Sequence, residues 1–325
     1  MDTVRIGLVG AGGMGKVHYA NIAAIEDAEV AALVGTSERA KKTGEEWGVP
    51  VFATISEMVK GAKIDMVDIC TPTYMHHDMV VESLNCGVDT IVEKPIALSY
   101  ADAKEMLETA EKNGVHLYVA QVLQFTKEVA VLRDVVKSGE LGKPLDAVFE
   151  RLSACPKWAL DGWLFDKDKS GLLYYDLHIH DLDVIVSVFG EPEKFSYTSC
   201  RGADKSYPEQ IRIDYDYGGL HVIGEAAWFN ADIPWTARWR VYFENGMLIN
   251  DGNGLISYQF GREAKKYDTS DEVMISTGIN VPPCGWYYTE LTHFIDCHRK
   301  NKDSELVPGK QLLTVMKLLE EMSGK

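Results

Sequence analysis

The segment Gly10-Ala11-Gly12-Gly13-Met14-Gly15, with Gly10, Gly12 and Gly15 at G-x-G-x-x-G spacing, directly follows the apolar run Val4–Val9 and leads into a helix-compatible stretch from Met14 to Ile25. Strand, tight turn and helix in that order restrict the start of the chain to a βαβ unit of a parallel sheet. The spacing has a physical meaning. The first glycine permits a tight turn, the second lets a pyrophosphate approach the backbone, and the third lets the helix pack on the strand. Amides at the helix N-terminus then face phosphate oxygens. Gly10, Gly12, Gly13, Met14 and Gly15 are therefore candidate dinucleotide contacts, with a purely structural turn as the alternative.

The pattern continues for about a third of the chain. Apolar runs at Val30–Val34, Met66–Cys70, Thr90–Val92 and Leu117–Ala120 alternate with helical stretches. Their unbroken apolarity suits strands covered on both faces. Ser99 with Asp102 reads as a capping box opening a helix to Asn113-Gly114, and a helix from His77 ends at Gly87. After Gln121 the pattern changes. A helix from Lys127 stops at Ser138-Gly139, and Gly142-Lys143-Pro144 forms a turn. Extended runs then follow at Leu145–Leu152, Phe195–Cys200, Gln210–Tyr217, His221–Phe229, Ala237–Phe243, Met247–Asn250 and Leu255–Phe260. Few helices separate them, so an antiparallel sheet is expected, with Asn245-Gly246 as a hairpin turn. Two more helices are expected around Thr289–His298 and Lys310–Met322. A chain of 325 residues suits two domains. The expected fold is α/β: a Rossmann parallel-sheet domain over 1–122, then an α+β domain over 123–325 with a large, mostly antiparallel open sheet.

A net charge of −16 argues against nucleic acid, which needs a basic face, and more weakly against anionic membranes. No uncharged run approaches the ~18 apolar residues of a membrane helix, and no basic segment with a long apolar core opens the chain. Six cysteines show no C-x-x-C pair or finger spacing. A cytoplasmic protein with reduced thiols is expected.

The second apolar run leads into Gly35-Thr36-Ser37-Glu38-Arg39, with Lys41 and Lys42 beyond. A carboxylate at that strand tip would grip the ribose hydroxyls of NAD. None stands there. Thr36, Ser37 and Arg39 would instead accommodate a 2′-phosphate, so NADP is preferred to NAD; a solvated helix face is the alternative for the basic residues.

Glu93-Lys94-Pro95 follows the fifth strand, and ligands of open parallel sheets sit at the carboxyl ends of strands. Lys94 there can exchange a proton or stabilise an alkoxide; a plain loop lysine is the alternative. Asp176, His180 and Asp183 fall at i, i+4 and i+7, on one helical face. An imidazole held by a carboxylate is a general-base arrangement, against which stands a helix cap with a core histidine. His178 and His180 diverge on a helix and no cysteine joins them, so no metal is expected. Together these groups read as a nicotinamide-dependent oxidoreductase acting on a hydroxyl carbon. Pro156-Lys157-Trp158 and Trp163 would wall a sugar-sized cleft or pack on the sheet.

With these motifs, the chain resembles the Gfo/Idh/MocA family over nearly its whole length. Gly10, Gly12 and Gly15 match its glycine turn, and Thr71-Pro72 with His76 resembles its T-P-x-x-x-H segment at the cofactor site. Glu93-Lys94-Pro95 matches its signature lysine motif, and Asp176 with His180 its D-x-x-x-H, with Asp183 three residues on. Gly139 and Gly142 fall on its G-x-x-G turn. The resemblance implies a nicotinamide cofactor, a sugar, inositol or related polyol substrate, and homodimers or homotetramers formed through the sheet. It implies Lys94 and His180 as catalytic acid/base groups and Asp176 as the residue that binds or orients substrate. Thr71, Pro72, His76, Glu93 and Lys94 thereby join the cofactor set. Two residues depart from the family pattern: Gln124, where many relatives carry arginine, and His178, where glycine is common. A non-redox sugar enzyme (glycosidase or epimerase) retaining NAD and a cofactor-sensing regulator are the rival readings. Trp228, Trp235, Trp239 and Tyr242 are expected to face a partner subunit.

Overall fold

A computed structural model describes residues 2–157, 160–276, 278 and 282–324. The chain forms two compact units, Met1–Phe125 with Asp271–Gly309, and Thr126–Ser270 with Lys310–Lys325. The sequence reading places one boundary at 122 and assigns everything beyond it to the second domain. The structure instead returns residues 271–309 to the first unit. Helical periodicity tells that this segment has an apolar face but not which sheet or helix covers it.

In the first unit, β1 (Val4–Val9), α1 (Gly13–Ile22), β2 (Ala28–Val34), α2 (Glu38–Trp47), β3 (Val51–Phe52), α3 (Ile55–Gly61), β4 (Met66–Ile69), α4 (His76–Asn85), β5 (Asp89–Glu93), α5 (Tyr100–Asn113) and β6 (Leu117–Ala120) follow in order. The strands pair in the order β3-β2-β1-β4-β5-β6, all parallel. That is the doubly wound order, whose direction reverses between β1 and β4 and leaves a crevice beyond their carboxyl ends. Helix starts are set by short polar side chains: Ser37, Thr54 and Ser99 accept bonds from the amides of Ala40, Glu57 and Asp102. Each such cap contributes about 1 kcal/mol. Gly48 and Gly114 close α2 and α5 in the left-handed conformation.

The second unit contains α6 (Lys127–Ser138), β7 (Pro144–Ala154), α7 (Lys167–Ser170), a π-helical turn (Tyr174–His178), α8 (Ile179–Phe189), β8 (Lys194–Cys200), β9 (Gln210–Asp216), β10 (His221–Phe229), β11 (Thr236–Phe243), β12 (Gly246–Asn250), β13 (Leu255–Tyr258) and β14 (Lys265–Tyr267). Its eight strands run β14-β13-β12-β11-β7-β10-β9-β8. Every neighbouring pair is antiparallel except β7 with β10. Burial alternates along the central strands, so Phe149, Tyr215, Val222 and Val241 face the core. Trp228 and Trp239 are 1% and 8% exposed and belong to this core, which corrects their expected place on a partner-facing surface. Trp235 and Tyr242 do remain exposed. Short strands β3 and β14 and the four-residue α7 carry too few residues to show periodicity.

The chain then enters α9 (Trp286–Arg299) and ends in α10 (Gly309–Ser323). Tyr287 and Cys284 pack with Val17 and Val122 of the first unit, which is what holds the returning segment there. Among the described residues, no helix is long and apolar enough to cross a membrane.

Candidate active site

The glycine turn has the shape its spacing implies. Gly10 has φ +101°, and a Cβ there would lie 2.8 Å from the Cys70 carbonyl oxygen. A Cβ on Gly15 would lie 2.0 Å from the Gly10 carbonyl oxygen, so any side chain would push α1 off the turn. A Cβ on Gly12 would meet nothing within 4 Å. That open side lies before an α1 N-terminus with no side-chain cap and no acid in its first turn. Uncapped amides beside open space suit a pyrophosphate, and the residues present fit a dinucleotide. Gly13 is exposed and Met14 half-buried at the same turn.

At the end of β2, Thr36, Ser37 and Arg39 are exposed. Ser37 is also the α2 cap, its hydroxyl 3.2 Å from the Ala40 amide. Glu38 pairs with Lys41 at 2.6 Å. A Cβ on Gly35 would lie 2.5 Å from Ala40 Cβ, so packing alone requires glycine at that strand tip.

Beyond β4, Thr71 and Pro72 are half-buried and His76 is buried. His76 Nδ1 lies 2.8 Å from the Pro95 oxygen and Nε2 2.9 Å from the Thr71 oxygen. Its ring thus spans the loops that follow β4 and β5. Burial lowers its pKa below the ordinary value, although both carbonyls pull the other way. Lys94, half-buried, is the first residue after β5. Its amide donates to Glu93 Oε2 at 3.0 Å.

Behind this loop lies a polar cluster that sequence reasoning missed. His18 on α1 places Nδ1 2.8 Å from Asp68 Oδ2 and Nε2 3.0 Å from Glu93 Oε1, all three residues buried. Burial is the strongest single influence and works against the imidazolium, but the charge and hydrogen bond of Asp68 together with the neighbouring Cys70 raise His18 well above the ordinary histidine value. Burial likewise pushes the Cys70 thiol up, so it stays protonated. Atoms of His18, Asp68 and Cys70 lie within 4.8 Å of one another, but hydrogen bonds to carboxylates already engage both imidazole nitrogens. Glu290 of α9 is fully buried, and neither carboxyl oxygen has a hydrogen-bond partner among the described residues. Burial, then the charge of Glu93, pushes its pKa well up. The cluster had a signal: His18 shares a helical face with Gly15 and Ile22, and Asp68 interrupts an apolar strand. Polar groups in such places need partners.

On the second unit, Asp176 lies in the π-turn and His180 in the first turn of α8, both half-buried. A turn closed by i→i+5 bonds holds more than four residues, so the two still stand about one turn apart. Leu172, just before it, has φ +64°, a strained conformation for leucine. Arg151 of β7 grips Asp181 through two bonds, Nε to Oδ2 at 2.9 Å and a terminal nitrogen to Oδ1 at 2.8 Å. Gln311 donates to Asp183 at 2.7 Å. His178 is a core residue: Nε2 lies 2.7 Å from the Tyr215 hydroxyl, and Cε1 would lie 2.6 Å from a Cβ on Gly224. Burial lowers its pKa to about 4. Gln124 is fully buried in the first unit. Trp163 is half-buried and Lys157 exposed, while Trp158 lies outside the described residues. The expected site residues thus form two groups, the cofactor set and Lys94 on one unit, Asp176 and His180 on the other.

Residues 4–121 match the family model described as the oxidoreductase family with an NAD-binding Rossmann fold, and residues 129–249 match the Gfo/Idh/MocA C-terminal domain. The rhizopine catabolism protein MocA of Rhizobium meliloti is 29% identical over 66% of this chain and 67% of its own. Myo-inositol 2-dehydrogenase of Thermotoga maritima is 29% identical over 58% of this chain and 55% of its own. The chain therefore spans about half to two thirds of the length of these curated relatives. A levoglucosan dehydrogenase solved with NADH and levoglucosan shares the fold at TM-score 0.84 and 17% identity, over 99% of this chain and 98% of that one. With both halves matched in order and the glycine turn built as such a domain requires, the chain belongs to the Gfo/Idh/MocA family of oxidoreductases.

Proposed function

We propose that the protein is a nicotinamide-dependent dehydrogenase acting on a CH–OH group of a sugar, inositol or related polyol. The observation that carries this reading is the open, uncapped α1 N-terminus at the switch point of a parallel sheet, with Lys94 directly after β5, two strands from β1 across that switch point. Relatives named for oxidation of inositol and levoglucosan support the substrate class.

Gly10, Gly12, Gly13, Met14 and Gly15 would hold the pyrophosphate. Thr36, Ser37 and Arg39 would hold the adenosine ribose end, and Thr71, Pro72, His76, Glu93 and Lys94 would border the nicotinamide end. A nicotinamide held there would supply the acceptor for the hydride of the substrate carbon. The chain itself must handle the hydroxyl proton and the charge left on oxygen. His180 accepts that proton as a neutral imidazole, and Asp176 orients the hydroxyl. The Lys94 ammonium stabilises the oxygen as negative charge grows there. In reduction the same groups act in reverse.

At the ribose end, no acid follows β2 before Glu38, and Arg39 has no ion-pair partner among the described residues. Arginine matches phosphate through its planar fork, so NADP(H) binds at least as well as NAD(H). The exposed Trp235 and Tyr242 support a homodimer or homotetramer, which light scattering would measure. The test of the activity is absorbance of the reduced nicotinamide when purified protein meets a panel of sugars and inositols with each cofactor. Turnover on a panel member is the expected result. Sugar conversion with no net cofactor change would replace it with non-redox chemistry.

A further inference from the structure

Lys94 is held through its backbone amide just past the end of β5. Sheet pairing in this part of β5 stops at Glu93, opposite Ala120, so the lysine stands beyond the ladder. Its amide is held by Glu93 Oε2, and the other oxygen of Glu93 faces His18 Nε2. The remaining His18 nitrogen faces Asp68 of β4. A chain of polar contacts therefore runs from β4 through α1 to the Lys94 backbone, entirely within the first unit. His18 lies one turn along the same helix whose start forms the glycine turn.

We propose that His18 is a positioning residue for Lys94: by bridging Asp68 and Glu93 it fixes the carboxylate that holds the Lys94 amide, so the helix of the dinucleotide turn also sets where the lysine stands. The proposal rests on the reading of Lys94 as an acid/base or charge-stabilising group.

Both nitrogens face carboxylates, and only an imidazolium can donate from both at once. The raised pKa of His18 agrees with that state. Charge-assisted bonds are shorter and stronger than neutral ones, which suits a contact that must hold a loop in place. Satisfying buried polarity would not by itself require the arrangement, because buried ion pairs replaced by packed apolar residues are often no less stable. Tyr287 and Glu290 of α9 complete the surroundings; with Glu290 held protonated by burial, His18 faces the carboxylates of Asp68 and Glu93 and no third one.

Asparagine and glutamine separate the two contacts. The amide nitrogen of asparagine falls near the histidine Nδ1 position and that of glutamine near Nε2. His18→Asn therefore keeps Asp68 and loses Glu93, while His18→Gln keeps Glu93. The first readout needs no ligand: hydrogen exchange at the Lys94 amide, followed in a peptide where Pro95 contributes no amide. Exchange should quicken by roughly tenfold in His18→Asn and return toward the parent rate in His18→Gln. The second readout is turnover of the panel, with myo-inositol and glucose as probes. We expect kcat to fall roughly tenfold to a hundredfold in His18→Asn, with cofactor Kd by calorimetry changed less than about threefold and kcat largely restored in His18→Gln. Unchanged exchange and kcat in a folded His18→Asn, alongside a Lys94→Ala variant that has lost its turnover, would overturn the positioning role alone. Equal losses in both His18 variants would reduce His18 to a stability residue. Full turnover in Lys94→Ala would remove the premise and the proposal with it. Should neither His18 variant fold, Glu93→Gln carries the same test, with faster Lys94 exchange expected and an unchanged rate overturning the proposal.

Discussion

The role proposed for Lys94, directly after β5, makes a sharp demand on one side chain. Lys94→Ala should lower turnover by roughly a hundredfold or more while leaving cofactor binding near the parent value, as steady-state kinetics and calorimetry would measure. His180→Asn should remove most of the rate. It should also flatten the acidic limb of the pH–rate profile for oxidation, because a protonated imidazole cannot accept the hydroxyl proton. At the ribose corner, Gly35→Asp would set a side chain against Ala40 and confound recognition with packing. Thr36→Asp is the cleaner change, and it should shift calorimetric preference toward NAD by about tenfold. The glycine turn was legible because it is a contiguous motif with a physical reason for every position. His18 with Asp68 was not, since the partners lie 50 residues apart and no spacing rule reaches that far.

At the scale of elements, the Ser99–Asp102 capping pair and the left-handed Gly114 marked both ends of α5, because those signals are local. The extended runs of the second unit were equally clear from alternation. What local signals could not supply was the π-turn at Tyr174–His178 or the single parallel pairing of β7 with β10. The parallel pairing depends on which strand accepts which neighbour, which no local signal encodes. The join between β7 and α8 rests on the buried Arg151–Asp181 fork. Arg151→Ala would leave Asp181 buried without its cation and should cost about 3–5 kcal/mol, read as a lower urea midpoint. Replacing both residues with apolar partners of similar volume should recover much of that loss.

For the molecule as a whole, the buried titratable groups set how stability follows pH. His18 and Glu290 both have raised folded-state pKa values, so the native protein holds protons that the unfolded chain releases. Their contribution is complete below the unfolded values, 6.5 and 4.5, and is lost as pH rises toward the folded ones. His178, lowered to about 4, acts the other way and penalises folding as pH falls from 6.5. The thermal midpoint should therefore decline between about pH 7 and about pH 8.5. Glu290→Gln, which cannot ionise, should decline less over that window and be the more stable protein at its upper end. Equal slopes in calorimetric scans of the two proteins would reject this account of Glu290.

The return of residues 271–309 to the first unit has a consequence for synthesis. A ribosome that has made the whole parallel sheet has still not made α9, the helix that covers Val17 and Val122 and brings Glu290 beside His18. Until the second unit has been translated, the nascent sheet carries an apolar patch and a charged imidazole without their cover. Such exposed surface is what chaperones bind and what drives aggregation. The unit that begins the chain is thus among the last parts to be finished, and its folding rate is tied to contacts of long sequence separation.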